Sequence, residues 1–253
     1  MVCVLWAFLL LPFTSLSLGA DCLPVPAGKA YRVDHIYDGD SVRLHDGRRL
    51  RLIGINAPEL GRDGRRDEPF ALQARKRLEA LIREANGVVM LRKGPKSRDR
   101  HRRHLVYLFT PDGEDLGEVL LREGLAVVIA LPPNIDHLPC YTQAETLARQ
   151  SHQGLWRRPP TVSASSLSAL DKGFRLVSGR VSRVGSGRHS VWLTLDAVLS
   201  VRIDRRDLDL FPALLKEARE GRRLEVRGWL HRYRGAPTMR VRHPSMLKWL
   251  KED

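Results

Sequence analysis

Two short runs in the first third of the chain alternate apolar and polar residues, the pattern of half-buried β-strands. In Ser41–His45 and Arg48–Ile55, valine and leucine alternate with polar residues. Asp46 and Gly47 lie between the two runs, and Asp-Gly favours a tight type I′ turn because it readily adopts positive φ angles. The pattern therefore predicts a β-hairpin.

Similar patterns predict the other elements of residues 21–159. Apolar residues recur at helical spacing between Glu68 and Asn86, where Asn-Gly is a stop signal. Shorter helices are predicted at Asp115–Glu123 and Thr142–His152. Strands are predicted at Lys29–Ile36, Val88–Arg92 and Leu105–Phe109, and Leu125–Ala130 is a further apolar run. Five strands with helices among and after them are typical of a small Greek-key barrel of the OB type.

The composition changes after Arg157, where proline, serine and alanine predominate, and residues 160–170 are predicted to be a linker. Beyond it the strand candidates are Leu176–Val184, Val191–Leu195, Leu199–Ile203, Leu224–Tyr233 and Thr238–Val241, with a helix between Pro212 and Gly221. The expected fold class is therefore mainly β with helices (α+β). A five-stranded OB-type barrel is followed by a second small OB-like barrel at residues 171–253.

The charge balance is strongly basic, with 43 Lys and Arg against 29 Asp and Glu in 253 residues. Such a field attracts polyanions, so nucleic acid or an anionic membrane surface is the expected class of partner. Residues 165–253 hold 19 of the Lys and Arg but only 10 of the Asp and Glu, which makes the second domain the more basic half.

Basic and aromatic residues alternate with apolar ones along the fourth strand of the second domain. Such a face suits single-stranded nucleic acid, because aromatic rings stack on bases and guanidinium groups neutralise phosphates. The residues expected to bind nucleic acid are Trp192, Arg227, Trp229, Tyr233, Arg240 and Arg242. In the alternative interpretation, the tryptophans pack beneath the helix and the arginines only solvate the outer surface.

The first 20 residues carry no charge and include the apolar run Val4–Phe13. The segment is expected to be a secretory signal peptide, with an uncleaved membrane anchor as the alternative. Cleavage would place the mature chain in a secreted or periplasmic location and leave Cys22 and Cys140 as an even pair. A disulfide between them is expected in an oxidising compartment, and two unpaired thiols are the alternative.

Chemistry-bearing residues lie at the ends of the predicted hairpin. Asp40 begins the first strand, Arg51 lies on the second, and Glu59 follows it closely. Because antiparallel pairing brings a strand start beside a strand end, two carboxylates and a guanidinium are expected to converge. That combination suits a cation with oxygen ligands and an anionic substrate.

This stretch resembles the signature of the staphylococcal nuclease (thermonuclease) family, an Asp-Gly-Asp-Thr turn followed by Arg-Leu-x-x-x-Asp-x-Pro-Glu. The matching residues are Asp38, Gly39, Asp40, Ser41, Arg51, Leu52, Asn56, Pro58 and Glu59. Downstream, Asp99–Arg103 and the apolar strand after it match the segment that carries the family's second catalytic arginine. The resemblance covers roughly Lys29 to Pro159 and implies an OB-type barrel.

The resemblance implies a calcium ion held by Asp40, by the backbone carbonyl matched at Ser41, and by the position of Asn56. Asn56 replaces the family's second carboxylate ligand, so one negative charge is lost and weaker calcium binding is expected. His101 and His104 are spaced like zinc ligands, but no Cys or Glu accompanies them.

The resemblance also implies the catalytic roles. Glu59 orients and deprotonates the attacking water, while Arg51 and Arg103 hold the phosphate and stabilise its developing charge. The implied reaction is endonucleolytic hydrolysis of DNA or RNA, leaving 3′-phosphate ends with little sequence preference. The segment after Gly124 lacks the tyrosines of the family's nucleotide pocket, so the second domain is expected to supply part of the affinity.

Two other interpretations remain open at this point. The first is a nucleic-acid-binding protein of the same fold with little or no catalysis, which the carboxylate lost at Asn56 favours. The second is a membrane-surface role for the basic second domain.

Overall fold

The computed structural model describes residues 28–251 except 62, 169 and 213. The predicted signal peptide at residues 1–20 and Cys22 lie outside this part of the chain, so the signal peptide and the Cys22–Cys140 disulfide stay predictions. Within the described residues, no helix combines the length and apolar character needed to cross a membrane.

The first half of the described chain forms seven strands and three helices. In chain order they are β1 (Tyr31–Asp38), β2 (Ser41–Leu44), β3 (Arg49–Leu52), β4 (Ile55–Asn56), α1 (Ala71–Glu84), β5 (Val88–Arg98), β6 (His104–Phe109), α2 (Leu116–Arg122), β7 (Val127–Val128) and α3 (Leu138–Gln150). A closed barrel has the strand order β1-β2-β3-β6-β5. In this barrel β3 and β6 run parallel, and the other neighbours are antiparallel.

The predicted hairpin is confirmed by the antiparallel pairing of β2 with β3. Its alternating valine and leucine side chains are buried in the barrel core, as the pattern requires. The predicted type I′ turn is wrong, because Gly47 has a positive φ of 83° and Asp46 does not.

Gly54 divides the predicted strand Arg48–Ile55 into β3 and β4. Its φ is 78°, and a Cβ at this position would lie 2.7 Å from the ring of Tyr141. The chain therefore turns at Gly54, and β4 leaves the barrel to pair with β7. This change of direction places the segment after Asn56 at the mouth of the barrel, beside the β1–β2 turn.

The second half forms another closed barrel. Its elements are β8 (Thr161–Ser163), β9 (Gly173–Ser186), β10 (Ser190–Leu195), β11 (Leu199–Asp204), α4 (Leu214–Glu217), β12 (Arg223–Tyr233), β13 (Ala236–Val241) and β14 (Leu247–Trp249), with 3₁₀ turns at Gly154–Arg157, Ala164–Ser166, Arg205–Leu210 and Pro244–Met246. The pairing of β12 with β9 closes the order β9-β10-β11-β13-β12. Both barrels thus have the same strand order, which confirms the predicted fold class.

The segment 160–170, predicted to be a linker, belongs in part to the second sheet. Its residues Thr161–Ser163 form β8, which pairs in parallel with β9. Ala164 is fully buried in the core of the second barrel. The composition of this segment suggested a loop because serine and proline are common in loops, but the non-local pairing with β9 determines its structure.

The two barrels share buried surface. Ile129 and Ala130, which follow β7, lie in the hydrophobic core of the second barrel. Trp156, after α3, packs in a smaller cluster with Leu176 of β9. The backbone N–H of Ala130 also donates to Sδ of Met246 at 3.2 Å. The barrels are therefore packed against each other.

Four charged residues between α3 and β12 form what we term the inter-barrel latch: Glu145, Arg149, Glu225 and Arg227. Arg227 donates from both terminal nitrogens to Glu145, at 2.7 and 2.8 Å. Arg149 bonds Glu145 at 2.9 Å and Glu225 at 3.0 Å. Burial alone would raise the pKa of Glu145, but attraction and hydrogen bonds from Arg227, together with Arg149, hold that pKa below its ordinary value.

Candidate active site

The β1–β2 turn brings Asp40 to the mouth of the first barrel. Gly39 makes this approach possible, because a Cβ there would lie 2.7 Å from the Cβ atoms of both Ala57 and Ala74. Real Cβ atoms do not approach each other so closely, so the turn lies directly on α1 and on the segment after β4. The Asp-Gly-Asp sequence is thus explained by close packing on both sides of the glycine.

Asp40 is almost fully buried, and two groups donate hydrogen bonds to its carboxylate: the backbone N–H of Ala57 at 2.8 Å and Oγ of Ser41 at 2.9 Å. Nη1 of Arg51 forms an ion pair with the same carboxylate at 2.8 Å. Burial raises the pKa of Asp40 to about 8; repulsion from nearby Asp38 adds to the rise, and Arg51 opposes it. The site thus holds a carboxylate whose negative charge an additional cation would stabilise.

Arg51 is buried, although its side chain lies on the opposite face of β3 from the leucines. Its Nη1 donates to the carbonyl oxygens of Leu52 at 3.1 Å and Ile55 at 3.0 Å, and its Nη2 donates to Oδ1 of Asn56 at 3.1 Å. The guanidinium therefore connects Asp40 with Asn56, the two side chains predicted as metal ligands. It also lines the cleft described below.

Glu59 lies just beyond β4 with an exposed side chain that lines the same cleft. Its backbone N–H donates to Oε2 of Glu68 at 3.0 Å, which fixes the chain at this point. Partial burial raises the pKa of Glu59, repulsion from Asp38 adds to the rise, and Arg51 opposes it. A carboxylate with a raised pKa is a stronger base, which suits proton abstraction from water.

Arg103 reaches the site from the turn between β5 and β6. Its Nε donates to Oδ2 of Asp99 at 2.7 Å, and its Nη1 donates to Oγ of Ser41 at 3.3 Å. Oδ1 of Asp99 also accepts from the backbone N–H groups of Arg103 and His101, at 2.9 and 2.8 Å. Asp99 therefore holds Arg103 beside Ser41 and Asp40. The spacing of four residues between Asp99 and Arg103 is the sequence signal that could have revealed this role.

A cleft of about 1030 Å³ lies between the two barrels, and the buried Asp40 and Ser41 are not among its lining residues. From the first barrel, Arg51, Asn56, Glu59 and Arg103 face it. No binding role was predicted from the sequence for the other basic residues on this side, which are Arg49, Lys96 and Arg100. The sequence pattern of polar and basic residues in the β5–β6 region is the same for the wall of a cleft as for a solvated surface, so it could not distinguish the two.

The second barrel forms the other wall of the cleft. Of the residues predicted to bind nucleic acid, Trp229, Arg240 and Arg242 line it, together with His231. Trp192 and Tyr233 are not among the lining residues, and their predicted binding role stays a prediction. Arg240 lies 2.5 Å from Asp204 and Arg242 lies 3.4 Å from Asp207, so two carboxylates hold the arginines in place.

The prediction that Arg227 belongs to an exposed binding face needs correction. Its guanidinium is buried between the barrels, where it bonds Glu145 and, at 3.2 Å, the carbonyl oxygen of Val128. Alternation of side chains along β12 correctly predicted the face on which Trp229 lies. At Arg227, however, the first barrel packs against that same face. No local sequence signal reports a contact between residues 82 positions apart.

The oxygen donors at the barrel mouth suit a hard cation in their chemistry. Asp40 offers a carboxylate, Asn56 an amide oxygen and Ser41 a hydroxyl and a carbonyl, all of which calcium accepts as ligands. Within the described part of the chain, no three His, Cys, Asp or Glu side chains are grouped to hold a metal ion. The buried Asp40 is therefore the principal anionic ligand that these three residues can offer.

The first barrel and its mouth define an OB-type domain in which a buried aspartate, an exposed glutamate and two arginines meet. A family model described as "Staphylococcal nuclease homologue" matches residues 49–158. The match includes Arg51, Asn56, Glu59 and Arg103; it begins after Asp40 and ends before the second barrel.

Known proteins point the same way. The chain is 30% identical over 128 residues to an "Uncharacterized endonuclease" of Escherichia coli O157:H7, covering 49% of this chain and 75% of that protein. It is also 30% identical over 138 residues to a "Probable endonuclease LCL3" of Arthroderma otae, covering 49% of this chain and 48% of that protein. The chain belongs to the staphylococcal nuclease homologue family, which confirms the resemblance drawn from its motifs.

Proposed function

We propose that the protein is a calcium-dependent endonuclease that hydrolyses phosphodiesters of DNA and RNA and leaves 3′-phosphate ends. One observation carries the proposal: Arg51, Glu59 and Arg103, from three separate parts of the sequence, line the same cleft. Membership of a nuclease family supports the reaction class. The excess of basic residues along the cleft supports a polyanionic substrate.

Glu59 is the general base in this proposal. Its carboxylate is exposed to the cleft, where a water molecule has access, and the charges that most affect its pKa are those of Asp38 and Arg51. Its raised pKa brings its basicity closer to that needed to take a proton from water near neutral pH. Fixation of its backbone by Glu68 keeps the carboxylate at the mouth of the barrel.

Arg103 and Arg51 act on the phosphate. Arg103 is only partly buried and directs a terminal nitrogen toward Ser41, so its guanidinium is in reach of the cleft. Arg51 is fixed by two backbone carbonyls, which orients its positive charge before the substrate arrives. Preorganised cations stabilise the charge that develops on the phosphoryl oxygens in the transition state.

Asp40, Ser41 and Asn56 would hold the calcium ion. When bound, calcium supplies positive charge beside the scissile phosphate. The raised pKa of Asp40 supports this assignment, since a buried carboxylate beside Asp38 lacks part of the positive charge needed to ionise fully. Asn56 contributes no charge, and calcium binding is therefore proposed to be weak.

A binding protein without catalysis is the second candidate. It is favoured by the ion pair between Arg51 and Asp40, at 2.8 Å, because the guanidinium already satisfies the carboxylate that would hold the metal. In that case the cleft would bind nucleic acid without cutting it.

The proposal is tested by incubating plasmid DNA and RNA with the purified protein in calcium, in magnesium or in chelator. Calcium-dependent cutting is expected, with termini that a polymerase extends only after a 3′-phosphatase treatment. Retention of DNA on a gel without cutting, under every ion condition, would support the binding protein. Cutting in chelator would contradict the metal requirement alone.

Export is a further part of the proposal. The uncharged apolar segment at residues 1–20 supports a signal peptide, and Cys22 with Cys140 supports a disulfide in the exported protein. Mass spectrometry of the protein recovered from the periplasm or medium, with and without reduction, tests both features.

A further inference from the structure

The active-site cleft has an aromatic side chain that belongs to the second barrel. Trp229 is the one Phe, Tyr or Trp side chain among the described residues that line the cleft. The first barrel, which carries the catalytic set, contributes none of these aromatic side chains to the described lining. Any stacking of a nucleobase on such a ring in this cleft therefore depends on the second barrel.

The surroundings of Trp229 hold the ring while leaving part of it open. Its neighbour across the β9–β12 pairing is Phe174. The two rings pack edge to face, with centroids 5.2 Å apart and planes at 74°. Trp229 nevertheless remains 39% exposed, although large apolar side chains are usually well covered. A rigid, partly open indole costs little conformational entropy when a flat ring binds to it.

Basic residues line both walls of the cleft that Trp229 also lines. Arg240 and Arg242 line the cleft from the second barrel, and Lys96 and Arg100 line it from the first. Arg240 is oriented by Asp204, and Arg242 by Asp207. Cationic groups and an aromatic platform in one cleft are the combination that binds a single strand, because phosphates and bases then each have a partner.

We propose that Trp229 is the base platform of the nuclease cleft and that the substrate strand passes between the two barrels as unpaired nucleic acid. The inference rests on the proposed function, because the strand is cut where Glu59 faces the same cleft. A base in a duplex is already stacked on both sides and cannot cover the indole without leaving its helix. Unpaired DNA or RNA is therefore the preferred substrate.

Binding to an inactive variant tests the platform without any turnover. Glu59→Gln and the double variant Glu59→Gln/Trp229→Ala are titrated, in chelator, against a dye-labelled oligothymidylate of about ten nucleotides, a length within the site size of OB-type binders. Loss of one base stack is expected to raise Kd about five- to 150-fold. An abasic strand of the same length is expected to bind both proteins equally.

Leu147→Ala in the same Glu59→Gln background is the control. Leu147 is an apolar side chain of α3 that is 50% exposed and does not line the cleft. Its removal is expected to leave Kd unchanged, and Trp229→Phe is expected to retain most of the affinity. Thermal unfolding of each variant shows whether the barrel is intact, and Trp229→Phe keeps the test valid if the alanine variant does not fold.

Three results would overturn the platform. They are equal weakening of the abasic and thymidylate strands, equal losses in the Leu147 and Trp229 variants, and duplex binding as tight as single-strand binding. These results are separate from those that decide catalysis. If the parent protein cuts DNA and the Trp229 variant binds normally, only the platform is overturned. If the Trp229 variant binds weakly and the parent protein never cuts, only the nuclease proposal is overturned.

Discussion

Gly39 determines where Asp40 lies at the barrel mouth. An alanine there would bring its Cβ to 2.7 Å from Ala57 and Ala74, so the turn must move away from α1. Gly39→Ala is expected to destabilise the protein by roughly 1–3 kcal/mol, the usual cost of overpacking, and to lower the cleavage rate. Gly185→Ala is the control, since a Cβ at Gly185 would have no heavy atom within 4 Å and the backbone there has an ordinary strand conformation. Urea unfolding and cleavage assays of both variants check this; equal stability of the two would contradict the packing role.

Asn56 is the residue at which the site departs from its family. Because Oδ1 of Asn56 accepts from Arg51, an aspartate would keep that hydrogen bond and add a negative charge beside Asp40. Asn56→Asp is expected to lower the calcium concentration needed for half-maximal cleavage. It is also expected to increase the rise in melting temperature that calcium produces without substrate. An unchanged calcium requirement would show that Asn56 does not contact the metal.

Individual residues show what the sequence could and could not predict about the site. Hairpin pairing predicted that Asp40, Arg51 and Glu59 lie close together, because antiparallel pairing brings a strand start beside a strand end. Arg103 was assigned to the same site by the family resemblance. Alternation also placed Arg51 opposite the leucines, but it gave no sign that the guanidinium is buried. The guanidinium is buried against the carbonyl oxygens of Leu52 and Ile55, and alternation of side chains does not indicate where backbone carbonyls lie.

At the scale of elements, the latch joins α3 to β12. Removing one partner of a buried ion pair leaves the other charge desolvated, which typically costs about 3–5 kcal/mol. Glu145→Gln is therefore expected to reduce the free energy of unfolding at pH 7 by about this amount, because Arg227 loses its bidentate partner. Glu220→Gln, at an exposed carboxylate of the second barrel, is expected to change it little.

The same latch predicts how stability depends on pH. The folded-state pKa of Glu145 lies below its ordinary value of 4.5, so its stabilisation is complete above 4.5 and is lost as pH falls through the lowered pKa. The difference in unfolding free energy between the parent protein and Glu145→Gln should be constant above that value and shrink below it. A difference that does not change with acid would mean that the carboxylate is not ionised in the latch. Arg149 and Arg227 stay charged throughout this range, and Glu225 is the other carboxyl group to include in the fit.

Regular elements were predictable where alternation or helical spacing was long enough. The β2–β3 hairpin and α1 followed directly from apolar periodicity. The short strand β8 did not, because three residues carry too little pattern and their pairing with β9 is decided by tertiary structure. Element boundaries such as the C-terminal half of β5 also depend on neighbours, since polar residues there pair with β6.

At the scale of the whole molecule, the two barrels should unfold together. Ile129 and Ala130 of the first half lie in the core of the second barrel, and Glu145 needs Arg227. Scanning calorimetry of the full chain is expected to show one transition. A fragment ending at residue 159 is expected to be insoluble or unfolded, because it exposes that apolar surface and removes Arg227 from Glu145. Two separate transitions, or a stable active fragment, would contradict this expectation.

The sequence could not predict how the two barrels are arranged, and the reason is physical. Strand order within each barrel follows from local pattern and a repeated topology, whereas the cleft depends on contacts between residues far apart in sequence. Basic and aromatic residues of the second half were recognised as suited to nucleic acid. That Trp229 would face the cleft of Glu59, and Arg227 the interior, follows only from docking.

The identity of Glu59 as general base is best tested by single-turnover cleavage of a labelled oligonucleotide in saturating calcium. The parent protein, Glu59→Gln and the exposed control Glu220→Gln are compared. Removal of a general base is expected to slow the chemical step about 10²- to 10⁴-fold with little change in oligonucleotide affinity. The control is expected to cut at the parent rate. Unimpaired cleavage by Glu59→Gln would contradict the assignment of the cleft as the catalytic site.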